Sequence, residues 1–498
     1  MWGHRNGWLN SPSVSERAEV DMGQEINAQH FHKRDFNHFE QALQEETALL
    51  SSWFEEGVFS TTEAMVGLEL EAWLVNQQLC PAPSNQPFIT TMNHPLVVPE
   101  LASFNIEINS TPQPLSEAPY SALTEELNTL WGKGEQVASR MDNHLIMIGT
   151  LPTAEEDDLI LANMSEQQRY RALNEQVLRM RGGAPLRFEI EGHESLQLRR
   201  RDVMMEAATT SLQIHLQVPF EQSVTAFNSA IQISAAMVAL CANAPYLFGR
   251  DLWEDSRIPL FEQAVNVEPL SHRLGEGRVS FGTGYARHSL LEFFIENRDH
   301  YPVMLPICQP LPTEELPNLM LHNGTVWRWN RPLVGFDQAG APHLRIEHRV
   351  ASAGPTPMDV TANTLFFVCV VMGMVARPDR RAKNLSFIEA RRNFYQAARY
   401  GMESEVRWQG GKSIPLRTLL QQELIPLARV GIAYLGLAPR EWQPWFELIE
   451  ERVQRGQNGS CWQRQWVARH GPDFSGLMGE YLEQQCSGNP VHEWSISG

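Results

Sequence analysis

Cysteine is scarce in this chain. Cys80, Cys241, Cys308, Cys369, Cys461 and Cys486 lie far apart, and none forms a C-x-x-C pair. That excludes a zinc or disulfide framework and points to buried, reduced thiols in a cytoplasmic protein. Positive charge is also in deficit: the formal net charge is −19 at pH 7. A nucleic-acid surface needs clustered cations, so no nucleic-acid partner is expected. A nucleotide stays open, because Mg²⁺ bridges carboxylates and phosphates. Long apolar runs are missing too. Met1 to about Arg34 is polar and lacks a signal-peptide core. Thr364–Ala376 is too short to span a bilayer, and Ala226–Leu247 is broken by Asn228, Ser229, Gln232 and Asn243. No membrane partner is expected.

Several catalytic motifs are absent. Gly410-Gly411-Lys412-Ser413 ends like a phosphate-binding loop, but Val406 occupies the place of its first glycine. Gly282-Thr283-Gly284 lacks the third glycine and the preceding strand of a dinucleotide fingerprint. No H-E-x-x-H and no G-x-S-x-G occurs. Any ATP site must be built another way.

What is present is globular. With 43% hydrophobic and 20% charged residues, 498 residues can bury a large core and form more than one lobe. Residues 1–35 read as a loose polar leader, 36–376 as the catalytic domain, and 377–498 as a helical lobe packed on it. Helical periodicity marks Phe36–Glu56, Leu115–Met141, Met164–Arg181, Asp359–Val375, Leu416–Leu437 and Trp442–Val453. Arg257–Tyr285 reads as loop, and only helices are expected beyond Pro378.

Four segments alternate apolar and polar residues, the pattern of a strand with one buried face. Gly67–Leu74 puts Glu69 and Glu71 on one face, with Trp73 beside them suggesting a cleft. Phe104–Asn109 offers Asn105, Glu107 and Asn109. Ser211–Val218 offers Ser211, Gln213, His215 and Gln217. Leu344–Val350 offers Arg345, Glu347 and Arg349. Few, short, alternating strands favour an antiparallel sheet over a doubly wound parallel one. The expected class is α+β: an antiparallel open sheet or half-barrel with an acidic polar face, backed by helices.

Each segment alone fits a solvated strand face, and Arg345, Glu347 and Arg349 could simply neutralise one another. If the four polar faces share one side of one sheet, four Glu, one His and two Arg converge. Carboxylates suit Mg²⁺, and guanidinium forks grip phosphate oxygens. Glu347→Gln is expected to abolish turnover with little loss of stability, because the group lies on a polar face and not in the core.

Read together, Gly67–Glu71, Ser103–Pro112, Thr210–Val218, Ala242–Tyr246 with Gly249-Arg250, His322–Pro332 and Arg345–Arg349 resemble, in order, the motifs of the glutamate–cysteine ligase-like carboxylate–amine ligases. The resemblance runs from about Thr61 to Val375. It implies a glutamine synthetase-like fold and an ATP-dependent ligase that uses Mg²⁺ or Mn²⁺. Such an enzyme joins the side-chain carboxylate of an amino acid, glutamate first, to an amine, cysteine first, as in glutathione biosynthesis. By matching positions it implies metal binding by Glu69, Glu71, Glu107, His215 and Glu347. It implies nucleotide contacts from Gln213, His215 and Arg345, and phosphoryl stabilisation by Arg345 and Arg349. Arg331, in a Trp-rich loop, would grip a substrate carboxylate. Gln213 departs from the family branch that has a second His there. The residues themselves also fit a metal-dependent amide or ester hydrolase, or a non-catalytic nucleotide or amino-acid sensor.

Overall fold

The computed structural model describes residues 31–267, 277–377 and 385–496. The polar leader therefore lies almost wholly outside the described residues. The strands are β1 (Met65–Asn76), β2 (Val97–Pro99), β3 (Asn105–Asn109), β4 (Gln113–Pro114), β5 (Asn143–Ile146), β6 (Leu186–Glu191) and β7 (Ser195–Arg200). They continue with β8 (Ser211–Gln217), β9 (Tyr246–Leu247), β10 (Arg250–Asp251), β11 (Asn330–Phe336), β12 (Pro342–Ser352), β13 (Glu405–Arg407) and β14 (Ser413–Pro415).

One antiparallel sheet runs β11-β12-β8-β1-β3-β2, with β4 and β5 also pairing β1. The expected architecture holds: an antiparallel half-barrel in a mixed α/β fold. Alternation explains its two faces. Leu68, Leu70, Ile106, Ile108, Ile214, Leu216, Leu344 and Ile346 point one way, and none is more than 4% exposed. Burying each contributes roughly 1.5–3 kcal/mol. The long helices Ser223–Leu240 and Pro357–Val375 are buried along most of their length, as expected of helices apolar on every side. Both pass a length-and-hydropathy test for membrane crossing, Pro357–Val375 with 19 residues, yet both are core helices here. His348, on the apolar parity of β12, stacks on Phe367 with centroids 4.1 Å apart.

The later segments differ from expectation in two places. Arg257–Ala264 is a helix inside the segment read as loop. Beyond Pro378 the chain also makes the β13–β14 hairpin. Its turn holds Gly410 and Gly411 at φ 80° and 73°, so the phosphate-loop lookalike is a turn that needs left-handed glycines.

The C-terminal helices lock onto the sheet domain through buried polar groups. Asn243 donates to the Ala353 carbonyl and to Tyr481 Oη, and accepts from Gln463. Gln485 accepts from the Met147 amide and donates to the Leu145 carbonyl. Arg452, in Gln443–Arg455, lies 2.7 Å from Asp359, and the two side chains are 2% and 0% exposed. Asp359 also accepts from the Val491 amide. Removing one partner of such a pair strands a buried charge. Asp359→Ala should therefore cost about 3–5 kcal/mol, seen as a clear fall in the thermal unfolding midpoint. An unchanged midpoint would show that the pair does not hold the lobe.

Candidate functional site

Strand register brings the predicted residues together. Glu71 pairs with Glu107, Glu69 with Asn109 on one side and Gln213 on the other, and Glu347 with His215 on one side and Arg331 on the other. Directly opposed residues share a face, so the polar sets of β1, β3, β8 and β12 do form one floor. Trp73 does not line it. Its indole is fully buried, donates to Thr210 and stacks on Phe104. The chain around Thr210 and Phe104 covers that end of the sheet.

One cluster joins Glu69, His215 and Glu347, whose donor atoms lie within 4.8 Å of one another. His215 Nε2 is 3.0 Å from Glu69 and 4.0 Å from Glu347. It is buried and makes no aligned hydrogen bond. Glu347 is 1% exposed and gripped at both oxygens by Arg331, at 2.7 and 2.8 Å. Arg349 adds a contact at 3.3 Å. Burial pushes the Glu347 carboxyl up, but Arg331 and Arg349 outweigh it and hold the group well below its ordinary value. Glu69 is also held low: the charges of His215 and Arg349 overcome its burial.

Two residues sit in a setting other than the expected one. Arg331 is not a free fork in a loop, because β11 aims it at Glu347. The strand was hidden by Pro332 and Gly335, which an edge strand tolerates. Glu347 is a buried, paired group, so neutralising it leaves Arg331 without a counter-charge.

A second cluster joins Glu71, Glu100 and Glu107, again within 4.8 Å. Glu71 accepts from the Ser211 amide and hydroxyl and from Gln213 Nε2, at 2.7, 3.0 and 2.9 Å. Burial and the Glu100 charge push Glu71 up to about 7. Burial and the charges of Glu69, Glu100 and Glu71 push Glu107 well above its ordinary value. Burial raises Glu100 against the pull of Arg169. Glu206, in the short turn Met204–Ala208, is raised by burial, Glu100 and Glu71. Glu100 and Glu206 escaped the sequence reading because neither lies on an alternating strand. The acidic Glu100 after β2 was the only local hint.

Gln213 links the clusters. Its oxygen accepts from Arg349, and its Nε2 donates to Glu71. Both ends of the carboxamide are thus engaged within the protein. Arg349 itself is aimed by a β-bulge. The β8–β12 register shifts between His348 and Ala351. The carbonyls freed there, of Arg349 and Val350, accept from Arg257 at 3.2 and 2.6 Å. Bulges of this kind re-aim a side chain. Arg345 lies on the same polar parity, half-buried. Its Nε is buried with no hydrogen-bond partner among the described residues.

The donor sets fit divalent cations. Hard oxygens and one imidazole suit Mg²⁺ or Mn²⁺. The buried His215 Nε2, which meets Glu69 without an aligned hydrogen bond, and the crowding that raises Glu71 and Glu107 are what a bound cation would relieve.

Comparison with known proteins agrees. The sequence profile of "Glutamate-cysteine ligase family 2 (GCS2)" matches residues 65–487. No curated protein matches significantly. The glutamate–cysteine ligase of Francisella tularensis, solved in complex with AMP, aligns over 88% of this chain and 91% of its own, with TM-score 0.54 and 13% identity. A bifunctional glutathione synthetase from Pasteurella multocida aligns over 89% of this chain and 55% of its own, with TM-score 0.52 and 9% identity. At these identities the likeness is one of fold.

Two outcomes follow. Glu347→Gln should lose about 3 kcal/mol of stability, measured by thermal unfolding in chelator; a fully stable variant would contradict the Arg331 pairing. Glu71 titrates near 7 when folded against 4.5 ordinarily, so the folded state holds that proton more tightly. Its contribution to stability is complete below pH 4.5 and is lost as pH rises towards 7. Metal-free wild type should therefore lose stability relative to Glu71→Gln across that window, and Mg²⁺ should reverse the loss. A pH-independent difference would refute this.

Proposed function

Starting from a chain that belongs to glutamate–cysteine ligase family 2 and is an ATP-dependent carboxylate–amine ligase, we propose that it joins the side-chain carboxylate of glutamate to the amino group of cysteine. The observation that carries this reading is the meeting, on one sheet face, of two acid clusters with a bulge-aimed arginine between them. A nucleotide on this fold is supported by the AMP held in the Francisella enzyme.

In this reading the glutamate carboxylate attacks the terminal phosphorus of ATP, and ADP leaves. The amine then attacks the acyl phosphate carbon. Inorganic phosphate departs, and the amine gives up a proton as the amide forms. Glu69, His215 and Glu347 would hold one Mg²⁺; Glu71, Glu100 and Glu107 would hold another. When bound, such ions neutralise charge on phosphate and carboxylate oxygens.

The protein's own residues do the rest by position and charge. Arg349, half-buried between Glu347 and Gln213, presents a fixed fork towards the transferring phosphoryl group. Arg345, with its Nε unpartnered, is the second cation for phosphate or substrate carboxylate. Arg331 keeps Glu347 ionised and still. Gln213 sets the distance from Arg349 to Glu71. All six cysteines are unpaired, which supports a reducing, cytoplasmic setting.

The test is ADP release with Mg-ATP and amino-acid pairs, glutamate plus cysteine first. ADP, phosphate and amide should appear together, and only when acid and amine are both supplied. Phosphate without amide, or amide hydrolysis without nucleotide, would overturn the reading. Arg349→Ala should lower kcat by about 10²–10³-fold. Undiminished turnover in that variant would remove Arg349 from the phosphoryl site.

A further inference from the structure

On the far side of the helices that back the sheet lies a cavity of about 220 Å³. Ser223–Leu240, the C-terminal end of Pro357–Val375 and the β13–β14 hairpin enclose it. It shares no lining residue with either acid cluster. Gln232 lines it from the first helix. That residue is 5% exposed, and its carboxamide oxygen is buried without a hydrogen-bond partner. Trp408, Met374, Leu424 and Leu427 supply apolar walls. Leu424 closes the π-helical turn Leu420–Leu424, a rare geometry that is frequent at functional sites. Exposed Arg287 and Arg377 stand at the mouth beside Glu423. Neither arginine forms an ion pair among the described residues, and the two outnumber the one carboxylate that lines the cavity.

We propose that this cavity is a regulatory site for a small organic anion with an apolar body. Its carboxylate would meet Arg287 and Arg377, its body would lie against Trp408 and the leucines, and a hydrogen-bond donor at its far end would satisfy Gln232. A physical path leads from there to the catalytic floor. Ser234, two residues beyond Gln232 and on the opposite side of the helix, accepts from Asn330 Nδ2 at 2.9 Å. The Asn330 oxygen meets His348 Nδ1 at 2.7 Å. His348 sits between Glu347 and Arg349. Through these bonds a shift of the helix would reach the backbone that carries both.

The probe is 3-(4-hydroxyphenyl)propionate, titrated by calorimetry into the full chain. It should bind at one site, about tenfold more weakly in the doubly substituted R287A/R377A protein, and not at all in Val224→Trp, which fills the cavity from its edge. Both arginines are exposed, so the double variant tests the site even if Val224→Trp fails to fold. The bound probe should change the rate of ADP formation with whichever amino-acid pair drives it. Asn330→Ala should still bind the probe but lose that change. Absence of saturable binding, or binding indifferent to the arginines, overturns the site. Binding that leaves ADP formation unaltered, or an effect that survives Asn330→Ala, overturns the regulatory role.

Discussion

The structure is organised around a crowd of like charges. Glu69, Glu71, Glu100, Glu107, Glu206 and Glu347 lie close together on or beside one face of a sheet whose other face is sealed by apolar helices. Burying carboxylates this way is costly unless each finds a counter-charge. Of these, Glu347 alone is gripped at both oxygens by a guanidinium among the described residues. Glu69 leans on His215. Glu71, Glu100, Glu107 and Glu206 are under-compensated, and their raised proton affinities record it. The donor atoms of such a floor fit a metal site.

The rest of the fold makes that crowding tolerable. The apolar parity of β1, β3, β8 and β12 anchors each strand against core helices, so the polar parity cannot turn away from itself. Arg257 satisfies the carbonyls that the bulge exposes and so converts a break in the ladder into an aiming device for Arg349. The C-terminal helices clamp the domain through Arg452–Asp359 and the Asn243 network. Rigidity matters because a displaced charge on this floor would meet another of the same sign.

Much of the floor was legible in the sequence because it rests on strand parity. Glu69, Glu71, Glu107, His215, Glu347 and Arg349 each announce their face by alternation. Parity fails where the chain leaves the strand. Glu100 and Glu206 sit on a loop and a short turn, where no period assigns a face. Trp73 obeys parity yet is buried, since the cover comes from distant Phe104 and Thr210. β11 was missed because Pro332 and Gly335 look like loop chemistry, and with it the partnership of Arg331 and Glu347. The expectation that Glu347→Gln costs little stability was drawn without that partnership.

Gln213 has a direction. A carboxamide donates only from its nitrogen and accepts only at its oxygen, so the two ends are not interchangeable. Here the nitrogen must face Glu71 and the oxygen must face Arg349; the reverse setting would turn donor on donor and acceptor on acceptor. Asparagine is one carbon too short for the span, and glutamate would repel Glu71. An imidazole could serve only in its neutral form, with the right nitrogen protonated. Position 213 therefore works as a keyed coupling between the two halves of the floor, one that fits a single way round.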